Sequence, residues 1–194
     1  MKSTEEFEYL AVLLSIVLGL GVTQLLTGVG RLVQARGRVR VYWPTLVWVA
    51  LLLLVHVQAW WAMFEMRTHG AWTFLKFLVV LLTPASLYLM AALVLPDVAE
   101  STAGGSTLDL RAHYYAQTRW FYGAAALVVV VSLLRPLAMD GRVPLDLDRG
   151  LQLVLLALFA TGAAVRRPRV HEVMTAAAAA LLVAYVALLF ARLR

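Results

Sequence analysis

The chain has 194 residues, of which 62% are hydrophobic and only 14% are charged. Soluble domains are about half apolar and about a quarter charged, so this composition excludes an ordinary soluble domain and predicts a membrane protein. The net charge of +6 does not indicate nucleic-acid binding, because the arginines form short clusters between apolar stretches. The absence of cysteine excludes disulfides, thiolate catalysis and cysteine-ligated metal sites.

Apolar stretches long enough to span a bilayer recur along the chain. The first follows an acidic start, MKSTEEFEYL, and is too long for a cleavable signal, so we expect a retained span. Pro44 opens the second stretch, where a proline is tolerated, and Pro136 is expected to follow the fourth. The sequence therefore predicts an all-α bundle without a soluble domain, a single membrane domain over residues 1–194, with spans at about 7–33, 42–66, 72–95, 113–135, 148–165 and 170–192.

The arginines predict how the chain is oriented. They concentrate in the first, third and fifth connections, whereas the N-terminal segment carries glutamates. Basic loops stay on the cytoplasmic side, so we expect both termini on the non-cytoplasmic side and a cytoplasmic loop at 96–112. Arginine strongly outnumbers lysine, and alanine, leucine and valine are abundant. This usage is typical of GC-rich bacterial genomes and favours the bacterial inner membrane.

The loop at 96–112 contains a predicted helix start. Ser106 and Asp109 have the spacing of a capping box, and an amphipathic, aromatic and arginine-rich run follows. Such a run is typical of the interfacial end of a membrane helix. The alternative is a cytoplasmic ligand site that uses Asp109, Arg111, His113 and Arg119.

The second span contains the stretch LLLLVHVQAWWAMFEM, in which polar residues interrupt an apolar helix. At 100° per residue, His56 and Trp60 share one face, while Gln58, Trp61 and Glu65 lie almost opposite. Polar groups that face lipid are costly, so each face should meet protein or water. Three roles stay open for His56: a neutral structural histidine, a proton or ion relay, or a ligand of metal or haem.

The hairpin between the second and third spans predicts a line of polar groups. Glu65 and Lys76 should lie at matching depth and form an ion pair, or else a charged vestibule. Thr83 shares a helix face with Lys76, and Pro84 inside the span should kink the helix and free a carbonyl. The candidate pathway or ligand set is His56, Gln58, Trp60, Trp61, Glu65, Lys76 and Thr83, and Pro84 is a candidate helix-packing residue.

The first span carries Ser15, Gly19, Thr23 and Thr27 at a spacing of four. Small residues at this spacing let helix backbones approach closely, so we expect a packing face here. The sixth span has five successive alanines at 176–180. Both features favour a homo-oligomer.

Catalytic motifs are missing from the sequence. His171 and Glu172 begin an HExxH pattern, but Thr175 replaces the second histidine, and no GxSxG or Walker sequence occurs. We therefore expect no enzyme and no metal site, and no cofactor is predicted, with haem and quinone left open. The leading hypothesis is a homo-oligomeric channel or transporter for an ion, a proton or a small solute. The alternatives are an accessory or scaffold subunit of a membrane complex, and a membrane-embedded protein that binds haem, quinone or lipid.

Overall fold

The computed structural model describes residues 2–67, 72–101, 106–141 and 147–192. The chain is helical almost throughout, which confirms the all-α prediction. The elements in chain order are α1 (Lys2–Gln34), a 3-10 turn (Arg36–Arg38), β1 (Val39–Arg40), α2 (Trp43–Met66), α3 (Phe74–Val94), α4 (Val98–Ser101), β2 (Leu108–Asp109), α5 (Leu110–Asp140), α6 (Leu147–Ala164) and α7 (Pro168–Arg192).

In the described part of the chain, four helices are long and apolar enough to cross a membrane. These segments are Glu6–Gln34, Trp43–Phe64, Phe74–Val94 and Leu110–Met139. The fifth and sixth predicted spans are helical, as α6 and α7, but they are not among the four, so the count of six is not confirmed. Many large apolar side chains on the four helices point outward, as a surface in contact with lipid requires.

The start of α5 corrects the prediction of a capping box at Ser106. The Asp109 carboxylate accepts hydrogen bonds from the backbone N–H groups of Arg111, at 2.8 Å, and Ala112, at 3.1 Å. Asp109 is therefore the N-cap residue itself. The Ser106 hydroxyl instead donates to the Ser101 carbonyl, at 2.6 Å. The helix consequently begins at Leu110, before the predicted boundary at 113.

The end of α5 also differs from the prediction, because Pro136 lies inside the helix rather than after it. A proline within a helix lacks the N–H that would bond the carbonyl four residues earlier. The Arg149 guanidinium of α6 donates to the carbonyl of Leu133, at 2.8 Å, and so supplies a donor beside the interrupted turn. α5 continues past Pro136 to Asp140 and reaches 31 residues.

The first and third connections meet at one end of the bundle. β1 and β2 pair in parallel, with Val39 opposite Leu108 and Arg40 opposite Asp109. Nearby, Arg31 Nη1 and Asp97 Oδ1 lie 3.3 Å apart, in an ion pair that is about half exposed. Such an exposed pair contributes little stability, but it lies where these two connections come together.

Within this chain α1 does not pack through the small-residue face, so contact of that face with another subunit stays a prediction. α1 packs mainly against α3 and also contacts α2, and Gly19, Thr23 and Thr27 are exposed while Ser15 is only half-buried. The Thr23 hydroxyl donates to the Gly19 carbonyl of its own helix, at 2.8 Å. Large apolar side chains remove more surface from solvent than small ones, and the buried face carries Phe7, Leu14, Leu18, Leu25 and Leu32.

Candidate functional site

A cavity of about 250 Å³ lies between α2, α3, α5, α6 and α7. Its wall is mostly apolar and includes Leu52, Leu87, Met90 and Val129. The polar or charged side chains in the wall are Gln58, Asp148 and Gln152, apart from the indole N–H of Trp48. Small-molecule sites are usually cavities of this kind, with a mainly apolar wall and a few polar groups that orient the ligand.

The polar groups of the cavity lie at one end and aromatic rings lie at the other. Along α2, Trp48 and Gln58 are about 15 Å apart at about 1.5 Å per residue, and along α6, Asp148 and Phe159 are about 16 Å apart. The rings of Trp48 and Phe159 meet at 6.1 Å between centroids. The polar and the aromatic ends of the cavity are therefore about 15 Å apart. Asp148 is exposed, so we call the polar end the mouth and the aromatic end the floor.

The mouth contains a carboxylate held by a hydrogen bond. Gln152 Nε2 donates to Asp148 Oδ2 at 2.9 Å, one helical turn away. Gln58 is half-buried, and none of the described residues gives it a hydrogen-bond partner. The mouth thus offers the carboxylate of Asp148 and the amide groups of Gln58 and Gln152 to a ligand.

The floor is held in place by close aromatic packing. Trp48 packs edge-to-face on Phe121, at 5.1 Å, and on Tyr122, at 5.7 Å. Gly162 lets α6 approach this cluster, because a Cβ at that position would lie 2.8 Å from Tyr122 Cδ1 and 2.8 Å from Met174 Cε. Trp48 and Tyr122 are both buried, so the floor is a fixed surface.

Behind the floor lies a buried hydrogen-bonded network of Tyr114, Tyr122 and His171. His171 Nε2 lies 2.6 Å from the carbonyl of Val165, and a carbonyl only accepts, so this nitrogen carries a proton. In the neutral ring, Nδ1 then accepts from the Tyr114 hydroxyl, at 3.1 Å. Tyr114 in turn accepts from the Tyr122 hydroxyl, at 2.7 Å. The network links α5 to α7. Through the Val165 carbonyl, it also places the connection between α6 and α7 at the same end of the bundle as Tyr114.

The predicted cytoplasmic set does not form one site. Asp109 caps α5, and Arg119 is exposed. His113 Nε2 donates to the carbonyl of Leu93 at 3.0 Å, and this bond satisfies a carbonyl in the last turn of α3. Asp109 and His113 thus make local contacts, Arg119 is exposed, and the three side chains do not face a common space.

Arg111 is the remaining member of that set. Its Cζ lies 5.8 Å from the centroid of the Tyr42 ring. The Tyr42 hydroxyl shares a hydrogen bond with that of Tyr115, at 3.1 Å. Burial is the main cause that raises the pKa of Tyr42 above its ordinary value, and the hydrogen bond with Tyr115 adds to it. Tyr42 is therefore a neutral phenol at physiological pH.

His56 is buried between α1 and α2, away from the cavity. Its Nδ1 donates to the carbonyl of Leu52, at 2.7 Å, and the side chain is 1% exposed. A Cβ at Gly21 would overlap Nε2 of the ring, so α1 approaches through the space that this glycine leaves. Of the three roles considered for His56, this geometry favours the structural one.

The other predicted pathway residues lie on separate surfaces. Trp60 and Trp61 are 57% and 55% exposed and point out of the bundle. Thr83 and Pro84 line a different recess of about 60 Å³. Lys76 is half-buried, and its backbone N–H bonds to the hydroxyl of Thr73, which caps α3. The side chain of Glu65 lies outside the described residues, so its ion pair with Lys76 stays a prediction.

No protein family, no curated protein and no solved structure matches this chain. Among the described residues, no group of three or more histidine, aspartate or glutamate side chains is placed to hold a metal ion. His56 and His171 each give one ring nitrogen to a backbone carbonyl, and the other nitrogen faces Gly21 or Tyr114. The ring nitrogens of His56 and His171 therefore do not face the cavity.

The sequence analysis named Gln58 but missed its neighbours at the mouth, and it missed the tyrosine pair behind the floor. Asp148 and Gln152 are four residues apart, which places them on one face of α6, and Tyr114 and Tyr122 are eight apart on α5. Both spacings are visible as helical repeats. They could have been found by searching each helix for polar and aromatic side chains that share a face.

Proposed function

We propose that this protein is a membrane-embedded binding protein that holds the apolar part of a lipid-like molecule in the cavity between α2, α3, α5, α6 and α7. The observation that carries the proposal is the cavity itself, about 250 Å³ in volume and lined by apolar side chains. Because lipid is as apolar as this wall, the gain on filling the cavity comes from close packing of the tail against the wall. Of the hypotheses drawn from the sequence, lipid or quinone binding fits this geometry best.

The channel hypothesis has less support from the same contacts. A conduction path needs polar groups that face a common space. His56 faces Gly21, Gln58 faces the cavity, and Trp60 points outward. Channel or transport activity and a role as an accessory subunit stay predictions from the sequence.

The proposal extends to the membrane arrangement of the chain. It takes α6 and α7 as the fifth and sixth spans of a bacterial inner-membrane protein. The first, third and fifth connections are then cytoplasmic, and the first and fifth of them carry arginines. In support, contacts of Arg31 with Asp97 and of Tyr114 with His171 gather these connections at one end. The exposed small-residue face of α1, which includes Gly19 and Thr23, is the surface we propose for contact between subunits.

A cavity-filling substitution tests the binding function. We expect Val129→Phe to lower the occupancy of dodecan-1-ol about tenfold, because the added ring takes space that the tail would fill, and a loss of about 1.4 kcal/mol is tenfold. Val129 is buried and lines the cavity, whereas Leu127 on the same helix is 43% exposed. The measurement is native mass spectrometry of protein released from phosphatidylcholine nanodiscs that contain the alcohol.

The control is Leu127→Phe, which adds the same ring to the outer surface of α5 and should leave occupancy unchanged. Equal occupancy in Val129→Phe and in the unmodified protein would place the alcohol outside the cavity. That result would contradict the proposed function.

A further inference from the structure

We infer that the cavity selects an amphipathic ligand with one apolar tail and a cationic, hydrogen-bond-donating head group, such as a primary amine. The inference rests on the proposed function and adds to it the chemistry of the head group. It depends on the three polar residues of the mouth, Gln58, Asp148 and Gln152.

The described lining of the mouth carries a negative charge. Among the lining residues that the structure describes, Asp148 is the one that carries a formal charge. The neighbouring arginine, Arg149, directs Nη2 to the Leu133 carbonyl of α5, which holds that nitrogen on α5. A carboxylate or phosphate head would therefore meet like charge, whereas an ammonium group would meet an opposite charge.

The hydrogen-bonding capacity of the mouth also favours a donor head. Gln152 donates to only one oxygen of Asp148, Oδ2. Oδ1 of Asp148 and the amide oxygens of Gln58 and Gln152 are acceptors with no partner among the described residues. An ammonium group has three donors and no acceptor, which matches this set.

The distance between the mouth and the floor limits the tail. Trp48 and Phe159 close the far end about 15 Å from the mouth. The tail therefore ends against aromatic rings, while the head lies level with Gln58 and Asp148. A single unbranched chain of about a dozen carbons is the class of tail that fits this length.

The test compares probes that share one chain and differ in their head. Dodecylamine, dodecan-1-ol and dodecanoate are each added to nanodiscs of zwitterionic phosphatidylcholine at pH 7, and native mass spectrometry counts the bound molecules. We expect the amine to occupy the full-length protein about tenfold more than dodecanoate, with the alcohol between them. Equal occupancy, or a preference for dodecanoate, would overturn the inference.

Asp148→Asn removes the charge that carries the inference, and it should abolish the preference for the amine over the alcohol. Asp97→Asn is the matched control, because it removes the same charge from an exposed carboxylate that pairs with Arg31 at the other end of the bundle. The control should retain the preference. A preference that persists in Asp148→Asn, or that is lost equally in both variants, would overturn the assignment of the head group to Asp148.

Val129→Phe separates failure of this inference from failure of the proposed function. If this variant loses all three probes but the unmodified protein shows no head preference, only the head-group inference is wrong. If the variant binds all three probes as well as the unmodified protein does, the cavity is not the binding site, and both are wrong.

Discussion

Gly21→Ala is expected to lower the stability of the bundle by about 1–3 kcal/mol, the range for an overpacked contact. The added methyl group would overlap Nε2 of His56. The ring cannot swing away easily, because it is buried and its Nδ1 is bonded to the Leu52 carbonyl. The thermal unfolding midpoint in a mild detergent, followed by intrinsic fluorescence, measures the effect.

Gly19→Ala is the matched control for this prediction, since nothing lies within 4 Å of a Cβ at that position. Its midpoint should stay unchanged or rise slightly, because alanine favours a helix more than glycine does. The double variant Gly21→Ala/His56→Ala adds a second check. Removing the ring should reduce the cost of the new methyl group, and the two substitutions should therefore be non-additive. Equal midpoints for Gly19→Ala and Gly21→Ala would contradict the contact between Gly21 and His56.

His171→Phe is expected to lower the free energy of unfolding by about 2–4 kcal/mol. The substitution leaves the Val165 carbonyl and the Tyr114 hydroxyl without the partners that His171 supplies. The bond to Tyr114 is buried and the bond to Val165 is part-buried, and a buried polar group left unsatisfied costs about 1–3 kcal/mol. Phenylalanine keeps an aromatic ring in the cluster, so the loss reports mainly on the hydrogen bonds. The midpoint of denaturant-induced unfolding measures it.

Two further variants isolate the network from the rest of α7. Val173→Phe introduces the same side chain at a position that is 69% exposed, and it should change stability by less than about 0.5 kcal/mol. Tyr114→Phe should cost less in the His171→Phe background than in the unmodified protein, because the bond to His171 is already lost. Strict additivity of Tyr114→Phe and His171→Phe would show that the two side chains are not coupled.

Hydropathy was sufficient to predict the six long helices of the described chain, although not the short α4. Each predicted span contains or overlaps an observed helix, since a run of apolar residues long enough to cross a membrane has few alternatives to a helix. Exact ends were harder to predict, as at α5. Ser106 and Asp109 are both good capping residues, and the choice between them depends on the pairing of β2 with β1, a contact distant in sequence.

The faces of the helices could be predicted, but their partners could not. A helical wheel places Gly19 and Thr23 on one side of α1, yet it does not say whether that side meets another helix of the chain, another subunit or lipid. Within this chain, α1 packs through its leucine-rich face, because that face buries more apolar surface. The close fit of Gly21 to His56 depends on where α1 crosses α2, which sequence spacing does not fix.

The cavity was not predictable from the sequence, because it depends on how five helices are placed relative to one another. Its mouth joins Gln58 of α2 to Asp148 of α6, and these residues are far apart in the chain. The sequence identified Gln58 as a polar residue that needs a protected surface, which is consistent with its place in the cavity wall. It did not connect that residue with Asp148, which resembles an ordinary acidic residue in the first turn of a helix.

The most direct test of the account is to locate the tail of a bound ligand. A twelve-carbon alcohol with a diazirine at the end of its chain would be irradiated in nanodiscs, and the labelled residues would be mapped by peptide mass spectrometry. We predict labelling at Leu87 and Met90, which line the cavity and are only 2% and 4% exposed, and loss of that labelling in Val129→Phe. Labelling confined to outward-facing residues of the same helix, such as Leu82 and Leu89, would contradict the account.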